Sequence, residues 1–365
     1  MKKRILILSA GFGEGHNSAA KGVRDGLARA APDRSEVELR DLLAEVYGPL
    51  NEFLRRAYLT LLNFVSPAWG IVYRWLDQEK DFDQEFARFV RLRSHLAALL
   101  DRFRPDVVVC TFPVYSNVLR RILTENPGTF PDCKIVVVVT DSITINAAWY
   151  RCAADYFCVA NEQSATVLRS RGVPPEKIKT FGFPVSPKFA DLVEDRALPS
   201  NSNRRVLYMI TAAKRGAPEL VRMLAKLDLD LTVTIGRSDE LRSAIEAAAG
   251  RHPIRIIGWT KELPQLMHES HLLVGKAGGA TVQETIAAKC PMIVNHVVAG
   301  QEEGNARLIV ETTSGVIARS SREVVVQIQR AFQDDAKLWR EWAGNIDKLS
   351  RPRAALDIGE FLMAL

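Results

Sequence analysis

The chain has 365 residues, more than a single hydrophobic core usually holds and a common size for two domains. Hydrophobic residues make up 47% and charged residues 25%, a globular balance that excludes disordered, collagen-like and disulfide-scaffold classes. The net charge of +6 suits an anionic partner, but the basic residues form no block and no recognition motif, which argues against nucleic acid.

In chain order, MKKRILILSAGFG opens with an apolar stretch, Ile5 to Leu8, that is too short for a secretory signal core. RILILSA predicts a buried strand, and NSAAKGVRDGLARAA a helix beginning after His16. Residues 51–76, NEFLRRAYLTLLNFVSPAWGIVYRWL, are too long for a connection between a strand and a helix. They set aromatic residues, Trp69 among them, beside Arg55, Arg56 and Arg74. The segment is either a membrane-interface element or an inserted helical pair packed on the core. PDVVVCTF, KIVVVVTD and YFCVAN then predict three more strands. Continuous Val and Ile runs separated by helices indicate parallel strands covered on both faces, a doubly wound α/β pattern.

A polar, proline-containing break covers residues 186–205. The alternation then restarts with RVLYMIT, LTVTIG, IRIIGW, LLVGKAGG and PMIVNH as strands. Two Rossmann-like domains facing a cleft are expected, over 1–188 and 200–345. A helical tail, 346–365, is interrupted by proline and is expected to cross back to the first domain. The five cysteines are odd in number and fit neither a zinc site nor a disulfide framework, so a reducing, cytoplasmic setting is expected. No segment approaches ~20 apolar residues, the length of a membrane span.

The densest chemistry lies in 275–305, GKAGGATVQETIAAKCPMIVNHVVAGQEEGN. Gly278 and Gly279 follow a strand and open a helix, so backbone N–H groups can approach a diphosphate. Thr281 can cap that helix or bond a phosphate oxygen. Glu284, one turn in, can accept from both hydroxyls of a ribose, with the helix dipole keeping it ionised. Gln301 and Glu302 begin the next helix and suit the vicinal hydroxyls of a hexose, and Asn305 can reach back to the phosphate. The plainer alternative is two ordinary helix starts with capping residues.

This stretch resembles the donor-binding region of the monogalactosyldiacylglycerol synthases and processive diacylglycerol glucosyltransferases, a glycosyltransferase family 28-like group. GWTKELPQLMHESHLLVG, IKTFGFPVSPKF and the N-terminal SAGFGEGHNSAAKGV, with its Gly15-His16 ending, fit the same family. The resemblance runs from about Ile5 to about Gly315 and is patchy over 20–105. It implies a two-domain GT-B fold and an inverting, UDP-sugar-dependent hexosyltransferase without a cofactor. The implied acceptor is diacylglycerol or a glycosyl-diacylglycerol, met at an anionic membrane surface on its cytoplasmic face. Carried over by position, the first domain binds the acceptor and the second the donor. Glu284 then holds ribose, Gln301 and Glu302 the sugar, Asn305 the phosphate side, and Trp259 the uracil edge, while Gly15 belongs to the phosphate-side loop. Pro49 matches a proline near the acceptor site, and Trp149 follows the aspartate of VTD as the family's tryptophan does.

His16 ends the loop at the carboxyl end of the first strand, where an inverting transfer needs a base for the acceptor hydroxyl. By itself it reads equally as a loop-closing histidine; the resemblance assigns it the base. Asp141, ending KIVVVVTD, is expected to orient His16 or an acceptor hydroxyl, with Thr111 and Tyr115 on the same edge. Two departures stand out. Asn146 occupies the place of a family histidine, and the loop ITAAKRGAPE keeps only Gly216 where the family is glycine-rich. Lys214 and Arg215 could supply the positive charge there. The Asp-x-Asp triplets at 81–83 and 228–230 read as chance, so no metal is expected. The acceptor could instead be polyprenyl-linked or otherwise lipophilic, or the protein a non-catalytic UDP-sugar sensor. A nucleotide-sugar epimerase shares the fold, but no acid/base pair for it is evident. Glucose versus galactose, the number of sugars added and the oligomeric state stay open.

Overall fold

The structure of the protein, a computed structural model, describes residues 2–11, 14–64, 89–125, 132–152, 154–192, 198–200, 203–211, 214–298 and 302–365, with the side chains of 14 and 54–64 left aside. The contacts divide it into two compact units. The first comprises Met1–Pro187, Val298–Gly304 and Arg351–Leu365, and the second Lys188–Val297 and Asn305–Ser350.

The first unit holds a six-stranded sheet of β1 (Lys3–Leu8), β2 (Ser35–Arg40), β3 (Val107–Cys110), β4 (Lys134–Val138), β5 (Tyr156–Val159) and β6 (Ile178–Thr180). All its pairings are parallel, in the order β2-β1-β3-β4-β5-β6. Its helices are α1 (Glu14–Ala30), α2 (Leu42–Phe64), α3 (Val90–Phe103), α4 (Pro113–Glu125) and α5 (Glu162–Ser170). Successive strand residues turn to opposite faces. Leu6, Leu8, Val108, Cys110, Ile135 and Val137 therefore share one buried cluster with α3 and α4, and Ile5, Ile7, Val107, Val109 and Val136 are buried on the other face. Burial on both faces is why these strands read as unbroken apolar runs. Each fully buried Val, Leu or Ile adds roughly 1.5–3 kcal/mol. Within α2, Gly48 adopts φ 45° and ψ −120°, and Pro49 follows it. A positive φ suits glycine and breaks the helix at the point where proline has no N–H to give.

The second unit repeats the plan with β7 (Arg205–Met209), β8 (Asp230–Gly236), β9 (Arg255–Gly258), β10 (Leu272–Lys276), β11 (Met292–His296) and β12 (Gly315–Ile317), parallel in the order β12-β11-β10-β7-β8-β9. Around them run α6 (Ala217–Leu224), α7 (Asp239–Ala249), α8 (Leu263–Glu269), α9 (Gly279–Ala287), α10 (Glu303–Glu311) and α11 (Ser321–Leu349). The chain then returns to the first unit as α12 (Ala354–Ala364), which packs along α1. There Gly26 lies directly against the Ala355 carbonyl, leaving no room for a Cβ.

The doubly wound α/β expectation matches these two sheets. Three edge strands, β2, β6 and β12, were not expected. α1 begins at Glu14, so Gly15 and His16 lie in its first turn rather than in the preceding loop.

Candidate active site

In each sheet the strand order reverses once, between β1 and β3 in the first and between β7 and β10 in the second. At such a point the loops leaving the carboxyl ends diverge to opposite faces and open a crevice for ligand. His16 follows β1 at the first of these places, and Gly278, Gly279, Lys214 and Arg215 follow β10 and β7 at the second.

In the first unit His16, in the opening turn of α1 after β1, reaches Thr111 just past β3. Its Nδ1 lies 2.8 Å from the Thr111 carbonyl and 2.9 Å from Thr140 Oγ1. A carbonyl can only accept, so Nδ1 carries the proton and Nε2 keeps the lone pair. Phe112 meets the imidazole edge-on at 5.0 Å, and the Trp149 ring lies 5.9 Å away. Enclosure disfavours the charged imidazolium and pushes the His16 pKa down to about 4, although the Thr111 bond opposes it. The ring is therefore neutral and open to a proton at neutral pH.

Asp141 does not orient His16. Its Oδ2 accepts from Trp149 Nε1–H at 2.8 Å, and the Asn146 backbone also hydrogen-bonds it. The orienting group is the Thr111 carbonyl, with Thr140 beside it. Burial raises the Asp141 pKa to about 6, opposed by the Trp149 and Asn146 bonds. Trp149 itself is buried, 1% exposed, and so is a wall beside His16 rather than a side chain laid on a membrane. Asn146 caps its turn by accepting from Ala148 N–H. Tyr115 is buried and its hydroxyl accepts from Leu43 N–H at 3.1 Å.

The segment Val298–Gly304 belongs to this same unit. Glu302 is buried, and its carboxylate accepts from Val298 N–H at 3.0 Å, closing its own loop. Gly304 lies against the Ser142 carbonyl, with no space for a Cβ, and Thr144 sits beside it. The Glu302 loop therefore rests on the residues that directly follow Asp141.

In the second unit, Gly278 caps α9 with no side-chain cap, so Thr281 does not perform that task. Among the described residues the Thr281 hydroxyl has no hydrogen bond, and its carbonyl accepts from Thr285 Oγ1 at 2.6 Å. The first N–H groups of α9 are thus left for a ligand, and those of a helix start favour an anion. Glu284 lies in the second turn of α9. The helix dipole does not hold it ionised: burial raises its pKa to about 7, even though the carboxyl keeps a partly open face. Asn305 Nδ2–H donates to the Ala277 carbonyl at 3.1 Å, while its buried Oδ1 has no partner. The unpartnered Oδ1 fits a hydroxyl donor, and the second N–H of Nδ2 can still donate.

Lys214 and Arg215 are exposed on a short turn ahead of α6, where the loop after β7 leaves the sheet. Trp259, just past β9, is 58% exposed, and the Arg237 guanidinium lies 5.0 Å from its ring centre. Arg237, Thr140 and Ser142 were not singled out from the sequence. Pro49 is exposed. Gln301, Trp69, Arg74 and the 81–83 triplet lie outside the described residues, as do the side chains of Arg55 and Arg56. Among the described residues no three His, Cys, Asp or Glu side chains gather as metal ligands, and no helix is long and apolar enough to cross a membrane.

Residues 16–185 match the family model of monogalactosyldiacylglycerol (MGDG) synthase, and residues 208–340 the glycosyltransferase family 28 C-terminal domain. A probable MGDG synthase 2, chloroplastic, from Oryza sativa subsp. japonica is 26% identical over 98% of this chain and 79% of its own length. Among solved structures, Acinetobacter baumannii MurG superposes with a TM-score of 0.64 at 14% identity, covering all of both chains. Anabaena HepE, determined with UDP and glucose, superposes at 0.54, also at 14% identity and full coverage. The two sheets are those of a GT-B fold, and the chain resembles the MGDG synthases over residues 16–185 and the glycosyltransferase family 28 C-terminal domain over residues 208–340.

Proposed function

We propose that the protein moves a hexose, galactose or glucose, from a UDP-sugar to diacylglycerol or a glycosyl-diacylglycerol, with inversion, at the cytoplasmic face of a membrane. The observation that carries this reading is the set of groups around His16. The base has its Nδ1 tied down and its Nε2 open, and the loop of Glu302, a sugar-binding candidate, rests beside the Asp141 strand end of the same unit.

In the second unit the free N–H groups of α9 receive the diphosphate, and Lys214 and Arg215 supply further positive charge. Glu284 accepts from the ribose hydroxyls, and Trp259 lies along the base. Asn305 Oδ1 accepts from a sugar hydroxyl, and Gln301 and Glu302 complete the sugar contacts. The acceptor oxygen attacks the anomeric carbon from the side opposite UDP. As that bond forms, the bond between the anomeric carbon and phosphate oxygen breaks, the acceptor proton passes to His16 Nε2, and UDP leaves as the anion. Leu50 and Phe53, 56% and 67% exposed on α2 beside Pro49, support contact of this region with lipid.

The test incubates purified protein with each UDP-hexose and diacylglycerol in anionic liposomes, followed by mass spectrometry and anomeric analysis. A glycosyl-diacylglycerol of inverted configuration is expected. Release of UDP without glycolipid, or transfer only to a polyprenyl-linked acceptor, would refute the assignment of acceptor.

A further inference from the structure

The second unit has a cavity that the proposed transfer does not use. Its volume is about 420 Å3, within the roughly 300–1,000 Å3 of small-molecule sites. Glu219 stands on its α6 side, and Arg319 and Arg322 stand at the start of α11. Tyr208 of β7, 2% exposed, is its floor, and the side chain of Asn295 in β11 hydrogen-bonds the Tyr208 hydroxyl.

Arg319, Arg322 and Glu219 are exposed, and none of them forms an ion pair among the described residues. Two cations at a helix start repel each other and oppose the dipole, and unpaired N–H groups add to the positive field. Glu323 does not relieve this. It is not among the lining residues, and its carboxylate accepts from the Arg319 backbone N–H at 2.6 Å. Ser320 Oγ accepts in turn from Glu323 N–H at 3.2 Å. The Ser321 hydroxyl, which also lines the cavity, has no hydrogen bond among the described residues. The place is arranged for an anion.

The lining decides which anion. Two arginines and one glutamate leave one net positive charge, which a monoanion balances. A phosphate monoester, with close to two negative charges, would set its second charge against Glu219. A carboxylate takes two parallel bonds from a guanidinium fork. The remaining groups suit hydroxyls. Glu219 accepts, Asn295 and Ser321 both donate and accept, and Tyr208 stays a protonated phenol because burial pushes its pKa up to about 12. Leu220 and Val324 are the only aliphatic side chains in the lining, too little apolar wall for a fatty or aromatic acid.

The cavity is apart from the donor groups of α9 and α10. Tyr208, Leu220 and Val324 belong to the buried cluster that α6, α7 and α11 share. No lining residue comes from α9 or α10, which carry Glu284 and Asn305. Gly216, the end of the short turn bearing Lys214 and Arg215, forms one edge.

We propose that the cavity bounded by Arg319, Arg322 and Glu219 is a binding site for a polyhydroxylated monocarboxylate, a sugar acid of the hexuronate type, separate from the nucleotide site. Calorimetric titrations are run with UDP in excess, so that the nucleotide subsite is filled. The probes are glucuronate and galacturonate. Glucose, acetate and glucose 6-phosphate serve as controls that lack, in turn, the charge, the hydroxyls and the single charge.

Wild-type protein is expected to bind at least one uronate, and each control at least about tenfold more weakly. Arg319→Gln/Arg322→Gln should weaken the uronate at least about tenfold, the scale of one lost charge-assisted hydrogen bond. Glu219→Gln keeps both arginines and removes the like charge, so it should tighten glucose 6-phosphate. All three side chains are exposed, so the ligand-free melting temperature and the UDP-induced shift should stay as in wild type. A lost UDP response in the wild type would instead refute the donor-site reading and leave the uronate titration to be judged by itself. The proposal is overturned if the wild type binds neither uronate, or if it prefers glucose 6-phosphate. Undiminished uronate binding by the arginine variant overturns it too, since the uronate would then sit elsewhere, as in the hexose subsite beside UDP.

Discussion

Replacing Glu284 with glutamine should make the protein more stable and a poorer nucleotide binder, and only at high enough pH. The carboxyl titrates near 7 in the folded protein, against 4.5 for an unperturbed glutamate, because burial disfavours its charge. The folded state thus holds this proton more tightly than the unfolded chain. The wild type loses nothing on this account below about pH 4.5, loses stability as the pH rises from 4.5 to 7, and has lost the full amount above 7. The difference, 7 minus 4.5, is 2.5 pKa units, or about 3.4 kcal/mol at 1.36 kcal/mol per unit. That is a ceiling, because the carboxyl keeps an open face and water screens it; about 1–2 kcal/mol is the expected effect. Glutamine has nearly the same shape and no charge. Glu284→Gln should nearly match the wild-type melting temperature at pH 5 and exceed it at pH 8 by roughly 2–8 °C, taking ~2–4 °C per kcal/mol for a domain of this size. UDP should reverse the ranking at pH 8, since the carboxylate regains hydrogen bonds from ribose and a ligand of the folded state raises its stability. Thermal melts at the two pH values, with and without UDP, read both effects. A gap between variant and wild type that is constant with pH, or a variant that melts lower at pH 8 without UDP, would show that the carboxylate is held by the protein itself rather than kept for a ligand.

What could be read from the sequence, and what could not, follows the range of the interactions involved. VVVC and KIVVV announced β3 and β4 because strands buried on both faces must be apolar at every position. SEVELR was missed as β2 because it is an edge strand, and all its residues but one are only half-buried; its alternation of Val37 and Leu39 with Glu36 and Glu38 was the available signal. β6 and β12 are three residues each, too short for any periodicity. The Gly-Gly start of α9 and the His16 position were legible because glycine and histidine at strand ends carry chemistry of their own. Their partners were not. His16 is held by a backbone carbonyl 95 residues away and a hydroxyl 124 residues away, and a carbonyl has no sequence signature. Glu284 illustrates the limit best: its place near a helix start suggested a stabilised charge, yet desolvation by tertiary packing, invisible in the local sequence, decides the sign.

His16→Ala should lower turnover by about 100-fold to 10,000-fold with little change in UDP affinity, because a positioned base acts mainly in the transition state. The wild-type acidic limb of kcat/KM should include a step near pH 4, where His16 gains its proton, and that step should be absent from the variant. Changing Arg55, Arg56 and Arg74 together to glutamine should reduce sedimentation with anionic liposomes and weaken its salt dependence, without lowering the melting temperature; unaltered sedimentation would favour a segment packed on the core. Gly26→Ala should destabilise by about 1–3 kcal/mol, since a methyl has no room against the Ala355 carbonyl between α1 and α12; a wild-type denaturation midpoint would contradict that packing. Asp141→Asn separates two roles for the buried carboxyl beside Trp149. An asparagine oxygen can still accept from Trp149 Nε1–H, so the wall beside His16 is kept, but the charge and one acceptor are gone. If the carboxylate only holds Trp149, turnover at pH 8 should fall less than about tenfold, and a pH step near 6, where Asp141 titrates, should vanish. Because burial also makes this carboxylate costly above pH 6, the variant should melt no lower than wild type at pH 8. If turnover instead fell as far as in His16→Ala, and the double variant were no worse than either single one, the two residues would act as one proton-accepting unit, and the carboxylate could not be a structural bystander.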